Sequence, residues 1–121
     1  MDFEKYTDKS KAIVQAAQAL ALRSGHQRLT PEHVLSALMA DRDHIADKLI
    51  RACGGNPVRV NEAVEEELAR QPKVEGSGAG QLYVTPEAAR FFDSAEQLAS
   101  KAKDDFVTVE RLLQALAMAQ T

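Results

Sequence analysis

The sequence contains no tryptophan, few aromatic residues and one cysteine, and each of these scarcities narrows the possible folds. Aromatic side chains make up 5% of the 121 residues. Alanine and leucine carry the apolar content instead, which favours close-packed helices over a β-sandwich. Because Cys53 has no second cysteine to pair with, an internal disulfide is excluded, and we expect a cytoplasmic protein.

Long apolar runs are also missing, since none approaches the roughly 20 residues that span a bilayer. The opening segment, residues 1–5, lacks a basic region followed by an apolar core, so we expect no secretory signal. A formal net charge of −3 argues against nucleic acid or an anionic membrane as the main partner. With 45% hydrophobic residues, the chain fits one small globular domain or two intimately packed halves.

What the sequence does contain is an internal repeat. The segment Thr30–Leu38 has a threonine N-cap, an acid two residues later and apolar residues at helical spacing. The same pattern returns 78 positions later as Thr108–Leu116, and the offset also places Thr7 on Thr85. Because caps and loop length are kept as well as apolar spacing, we infer a tandem duplication.

The caps and the apolar spacing predict an all-α fold. The predicted helices cover residues 7–23, 30–41, 44–53, 56–71, 85–103 and 108–119. The first repeat spans about 7–71, a glycine-rich linker spans 72–84, and a partial second repeat spans 85–121. The linker is not a phosphate cradle, because no Gly-Lys-Ser or Gly-Lys-Thr follows it and no predicted strand precedes it.

The second repeat has only two predicted helices, where the first has four. The counterparts of residues 44–71 would be 122–149, so we expect a fragment cut inside its second repeat. The last helix should then lack part of its packing. We therefore expect its leucines to be partly exposed or covered by a neighbouring molecule: Leu112, Leu113 and Leu116. Cys53, which follows an apolar helix, is predicted to be a small core residue.

The sequence offers few candidate residues for a metal site or a catalytic site. His26, His33 and His44 do not form a His-Glu-x-x-His motif, and a structural zinc site needs four converging ligands, so we expect no metal. No nucleophile elbow surrounds Ser24 or Ser36, which argues against catalysis and against a freestanding hydrolase or metal enzyme.

Two acids stand at matching places just after a threonine N-cap, Glu32 in the first repeat and Glu110 in the second. One interpretation is compensation of the helix dipole, worth about 0.3–1 kcal/mol each. The other is a pair of related surface sites for cationic or polar groups of a partner. Thr7 and Thr85 carry the same two interpretations, as N-caps or as contact residues.

Several segments together resemble a known family. They are an alanine-rich first helix, Tyr6-Thr7, His26, Thr30-Pro31-Glu32-His33-Val34-Leu35, Gly54-Gly55-Asn56-Pro57, and Gln71-Pro72-Lys73-Val74-Glu75-Gly76 before a glycine-rich loop. The chain resembles, over essentially its whole length, the N-terminal domain of Clp AAA+ unfoldases. The Pro-x-Val-Glu-Gly loop is most similar to the ClpB-type, disaggregating branch.

The resemblance implies a pseudo-twofold pair of four-helix repeats, the second cut here after two helices. It also implies a mobile, non-catalytic module joined to two ATPase rings, in a parent expected to be a hexamer. The implied partners are unfolded or aggregated polypeptides and the AAA+ modules of the same chain, with no nucleic acid and no membrane. ATP and Mg would belong to the absent ATPase modules, and this domain would hold no cofactor.

The resemblance also assigns substrate-binding positions. Thr7, Asp104 and Glu110 match residues implicated in the ClpB-type branch. Thr7, Glu32 and Glu110 match a doubled site for phosphorylated arginine in the ClpC branch, but Arg111 stands where that branch has histidine, so that activity is not transferred. The predicted walls of an apolar groove are Leu20, Val84, Phe92 and Leu98. The alternative function is an adaptor- or substrate-docking domain of a ClpA/ClpC-type protease regulatory subunit.

Overall fold

The computed structural model describes residues 3–73 and 82–119, and within them it shows six α-helices and two short strands. The helices are α1 (Asp8–Arg23), α2 (Pro31–Met39), α3 (Ile45–Ala52), α4 (Pro57–Arg70), α5 (Pro86–Lys101) and α6 (Val109–Ala119). The strands are β1 (Arg28–Leu29) and β2 (Tyr83–Val84), and one 3-10 turn, Phe3–Lys5, precedes α1. The predicted all-α class is confirmed. None of the described helices combines the length and apolarity that crossing a membrane requires.

The repeat is visible in the helix boundaries. Shifted by 78 positions, α1 falls on α5 at both ends, and the start of α2 falls on the start of α6. The caps agree in detail, because Thr7 Oγ1 accepts from the Ser10 N–H at 3.1 Å and Thr85 Oγ1 accepts from the Ala88 N–H at 3.0 Å. Each cap satisfies one of the backbone donors that a helix start leaves free.

The two long helices also end alike, in a Schellman motif. At the end of α1 the His26 N–H donates to the Ala21 carbonyl at 2.9 Å, and at the end of α5 the Asp104 N–H donates to the Ala99 carbonyl at 2.9 Å. The residue between helix and loop is left-handed in both, with φ of 74° at Gly25 and 62° at Lys103. Glycine adopts this conformation freely, whereas a lysine Cβ is strained there.

Lys103→Gly should therefore stabilise the domain by about 0.5–1 kcal/mol, and Gly25→Ala should destabilise it by about 1 kcal/mol. Urea unfolding of both variants and the parent chain measures the two changes. Lys103 is exposed, so little packing is lost with its side chain. Equal effects of the same sign at both positions would contradict this explanation.

Each repeat is tied to the other by a backbone pairing that the sequence analysis missed. β1 pairs in parallel with β2, and the Thr85 N–H donates to the Leu29 carbonyl at 3.2 Å. The counterpart is an isolated parallel bridge from Tyr6 to Val107, where the Thr7 N–H donates to the Val107 carbonyl at 3.0 Å. We call the residues just before α1 and just before α5 the lead-in of each repeat. The lead-in of the first repeat lies against the α5–α6 loop, and the lead-in of the second repeat lies against the α1–α2 loop. The last two residues of the predicted linker form β2, and residues 74–81 lie outside the described part of the chain.

The core forms around α2 and α6, which contact each other. α1 packs against α2, and α5 packs against α6. Within the first repeat α4 covers α2, while α3 contacts α6 of the second repeat. α4 buries Val64 and Leu68 and half-buries Val60, whereas Glu65, Glu66 and Glu67 are exposed.

Three predictions about burial were wrong. Leu112 and Leu116 are only 0% and 5% exposed, because the first repeat itself covers α6 through α2 and α3, whereas Leu113 is half-buried in agreement with the prediction. Phe92 is a core residue and not a groove wall, with 0% exposure. Cys53 is exposed, because it caps α3 beyond its last turn and Gly54, at φ 85°, then turns the chain.

Candidate functional site

One opening on the described surface joins the two repeats, and we call it the interrepeat groove. It has a volume of about 680 Å³ and lies between the first half of α2 and the exposed side of α5. Its lining residues are Thr30, Pro31, Glu32, Leu35, Thr85, Glu87, Arg90, Phe91, Ser94 and Leu116. Apolar side chains from both repeats thus form its floor, and charged and hydroxyl side chains form its rim.

The rim of this groove is mostly acidic. Glu32 is half-buried in the first turn of α2, and Glu87 and Arg90 on α5 are exposed and 3.6 Å apart. Thr85 already has its hydrogen bonds, since its Oγ1 donates to the Leu29 carbonyl at 3.2 Å and accepts from the Ala88 N–H at 3.0 Å. The groove can therefore receive an apolar side chain with a cation beside it, and Glu32 is the available carboxylate on the α2 side.

A second group of predicted residues, Thr7, Asp104 and Glu110, lies around the start of α6; we call it the α6 cap cluster. Thr7 reaches it through the backbone bond from its N–H to Val107. Its hydroxyl is used within α1, accepting from the Ser10 N–H and donating to Ser10 Oγ at 2.9 Å. Asp104 accepts from Arg111 Nε at 2.8 Å, whereas Glu110 is exposed in the first turn of α6. The geometry leaves Glu110 as the carboxylate most open to a partner.

Glu32 and Glu110 therefore occupy related but separate settings. Glu32 lines the interrepeat groove beside Thr85, and the repeat relates this pair to Glu110 with Thr7. Both interpretations of the two acids remain open, because a first-turn carboxylate compensates the helix dipole whether or not it also contacts a partner.

The predicted apolar wall residues do not share one surface. Leu20 is half-buried in a separate groove of about 390 Å³ between α1 and the end of α2. Val84 is 42% exposed beside Tyr83, and Leu98 is half-buried against the core. With Phe92 fully buried, a single wall built from these four residues is excluded.

One polar pair was not recognised from the sequence. His26 and His33 are both buried, at 4% and 0% exposure, and His26 Nδ1 lies 2.8 Å from His33 Nε2. Burial, followed by the neighbouring His26, lowers the pKa of His33 to about 4. Burial, followed by the charge of Lys73, lowers the pKa of His26. Both rings are therefore neutral at pH 7.

The repeat offset could have revealed this pair. Shifted by 78 positions, His26 and His33 fall on Asp104 and Arg111, which form an ion pair at 2.8 Å. In both repeats, the residue just after the first helix contacts the residue in the first turn of the next helix through its side chain. Within the described part of the chain, no group of three or more His, Cys, Asp or Glu residues is placed to hold a metal ion.

Comparison with known proteins agrees with this architecture. A family model, the Clp repeat (R) N-terminal domain, matches residues 5–121. Chaperone protein ClpB of Rhodopseudomonas palustris is 51% identical over 118 residues, which are 98% of this chain but 13% of that protein. ClpB of Mesorhizobium japonicum is 50% identical over 118 residues, again 98% of this chain and 14% of that protein. The chain thus spans about one seventh of the length of these relatives.

A solved structure extends the fold comparison. The Hsp104 N-terminal domain of Candida albicans matches with a TM-score of 0.82 at 20% identity, covering 93% of this chain and 73% of that chain. At that identity the likeness supports the fold alone. The chain belongs to the Clp repeat N-terminal domain family and is similar, over nearly its whole length, to the N-terminal domain of ClpB-type chaperones.

Proposed function

We propose that this chain is the substrate-recognition module of a ClpB-like, ATP-dependent protein disaggregase, and that it engages unfolded or aggregated polypeptides without catalysing a reaction. The observation that carries the proposal is the interrepeat groove, where an apolar floor drawn from both repeats lies under a charged rim. Similarity to ClpB chaperones supports the disaggregase branch over the ClpA/ClpC-type alternative.

The groove continues onto a surface of mixed polarity that includes exposed apolar side chains. A neighbouring depression shares Thr85 and Glu87 with it and is lined by Tyr83 and Val84, which are 60% and 42% exposed. Contiguous apolar surface on a soluble domain generally marks an interaction site. An unfolded polypeptide offers apolar side chains and loses entropy when it docks, so weak binding is expected.

The rest of the proposal concerns the parent protein. ATP and Mg would act in ATPase modules outside this chain, in a hexameric cytoplasmic parent. This domain would hold no cofactor itself, and its partners would be polypeptides and the parent's own AAA+ modules.

The test is binding of a fluorescently labelled, reduced and carboxymethylated model protein to this chain, followed by anisotropy. Glu32→Gln and Val84→Ser should each raise the Kd about three- to tenfold, which corresponds to about 0.7–1.4 kcal/mol. Matched controls lie on α4, where Glu66 is exposed and Val58 is 58% exposed. Glu66→Gln and Val58→Ser should change the Kd less than about twofold.

The α6 cap cluster is tested in the same titration with Glu110→Ala and Thr7→Ser, the latter keeping the helix cap. If the groove and cap variants all bind like the controls, or if the unaltered chain does not bind the probe, the proposed function is wrong. Weaker binding in the cap variants alone would move the site from the interrepeat groove to the start of α6.

A further inference from the structure

The His26–His33 pair connects three segments of the first repeat. His26 lies just after α1, and His33 lies in the first turn of α2, where its Nδ1 is 3.0 Å from the Thr30 backbone nitrogen and accepts its N–H. Thr30 Oγ1 in turn accepts from Gln71 Nε2 at 3.1 Å, just after α4. One hydrogen-bonded chain therefore links the end of α4, the first residues of α2 and the α1–α2 loop.

The hydrogen bonds indicate which nitrogen of each imidazole ring carries the proton. His33 Nδ1 lies 3.0 Å from the Thr30 nitrogen and 2.9 Å from Thr30 Oγ1. With Nδ1 accepting the Thr30 N–H, the His33 proton is on Nε2 and is donated to His26 Nδ1 at 2.8 Å. The proton of His26 is then on Nε2. That atom is buried and has no hydrogen-bond partner among the described residues, although the Leu68 carbonyl lies near enough to favour the protonated ring.

Another proton cannot be added to this hydrogen-bonded network without the loss of one of its bonds. A proton on His33 Nδ1 could be donated to Thr30 Oγ1, but the Thr30 N–H would then lose its acceptor. A proton on His26 Nδ1 would face the His33 Nε2–H. Either arrangement sets two donors against each other in a buried site, where an unmade hydrogen bond is costly. The complete set of these hydrogen bonds is therefore made by two neutral rings.

We propose that the His26–His33 pair is an acid-sensitive latch, which holds the start of α2 in place at neutral pH and releases it when the pair gains a proton. Thr30, Pro31 and Glu32 form the α2 side of the interrepeat groove, so release alters that wall. The inference concerns the groove's conformation and does not depend on what the groove binds.

The surrounding charges are few. Lys73, beyond the end of α4, opposes a proton on His26, and Glu32 on α2 favours one on His33. The second repeat has no equivalent latch near neutral pH, because Asp104 and Arg111 hold the same places with opposite charges. The two halves of the fold should therefore respond differently to acid.

Amide hydrogen exchange and imidazole NMR on the ¹⁵N-labelled chain test this latch. At pH 7.5 both rings should carry their proton on Nε2. Below pH 6.5 the protection factors of the Thr30 and His33 amides should fall about tenfold per pH unit, as for an opening linked to one proton. The matched amide is Arg111, which donates to Thr108 O at 3.1 Å as His33 donates to Thr30 O at 3.1 Å. Its protection should change less than about twofold.

A double variant, His26→Asp with His33→Arg, copies the pair of the second repeat and should remove the pH dependence at Thr30. The latch is refuted if Thr30 stays equally protected from pH 7.5 to 5.0, if His33 carries its proton on Nδ1, or if a folded double variant opens with acid as the parent does. Should the double variant not fold, the first two measurements on the unaltered chain decide the matter.

Discussion

Replacing Phe92 by alanine is expected to lower the free energy of unfolding by about 3–5 kcal/mol, the range for removing a large buried aromatic ring. Phe92 is fully buried on α5, with its ring centroid 4.8 Å from that of Phe91 and 6.5 Å from that of Tyr6. Tyr6 belongs to the lead-in that pairs with Val107, so Phe92 supports the contact between repeats as well as the core. Much of a small domain's total stability would be lost with this one side chain.

Urea denaturation followed by circular dichroism measures the change, and Leu22→Ala on the equivalent helix α1 is the control. Leu22 is 43% exposed, so its truncation should cost less than about 1 kcal/mol. A Phe92→Ala protein that unfolds like the parent but binds unfolded polypeptide more weakly would restore the original prediction of a groove wall.

The regular part of the fold could be predicted because its determinants are local. Thr7 and Thr85 are helix caps in the structure as in the sequence, and the 78-residue offset aligns both ends of α1 and α5. The β1–β2 pairing and the Tyr6–Val107 bridge could not be predicted. Strands of two residues have no alternation to detect, and their partners are distant in the chain.

The candidate site was only partly predictable. Polar positions such as Glu32 are marked by their place in a first turn, and the structure does put Glu32 on the groove rim. Apolar positions carry no such mark, because a helix face that lines a groove and one that enters the core have the same spacing. Phe92 was misplaced for this reason, whereas Leu112 was misplaced because the first repeat covers α6. The histidine pair was signalled only indirectly, by the repeat offset that places His26 and His33 on Asp104 and Arg111, two residues of opposite charge.

Acid should destabilise this domain well above the pH range in which carboxylates titrate. His26 and His33 have lowered pKa values in the folded state, whereas unfolded histidine has a pKa of about 6.5. Above pH 6.5 neither state binds the extra proton and the pair adds no pH dependence. Below it the unfolded chain is protonated and the folded His33 is not, so stability falls by about 1.4 kcal/mol per pH unit through His33. The lowered pKa of His26 adds to this fall in the same direction.

The loss from His33 continues until pH approaches its folded pKa of about 4, which amounts to about 3 kcal/mol in total. Asp43, a carboxyl group with a lowered pKa, does not contribute to the fall in stability within this pH range. Hydrogen bonding and charge from Lys9 lower the pKa of Asp43 below its ordinary 3.8, so that group loses its contribution only at still lower pH. Urea midpoints measured between pH 7.5 and 4.5 should therefore fall steadily from about pH 6.5 downwards.

Leu22→Ala is the control for this decline, because the exposed Leu22 carries no ionisable group and its substitution should leave the slope unchanged. His33→Gln should reduce the slope by about 1.4 kcal/mol per pH unit, since one titrating group is removed from the unfolded chain. A parent protein whose midpoint stays level down to pH 4.5 would mean that the folded pair accepts protons as readily as the unfolded chain. That result would be incompatible with a buried pair whose hydrogen bonds are complete only when both rings are neutral.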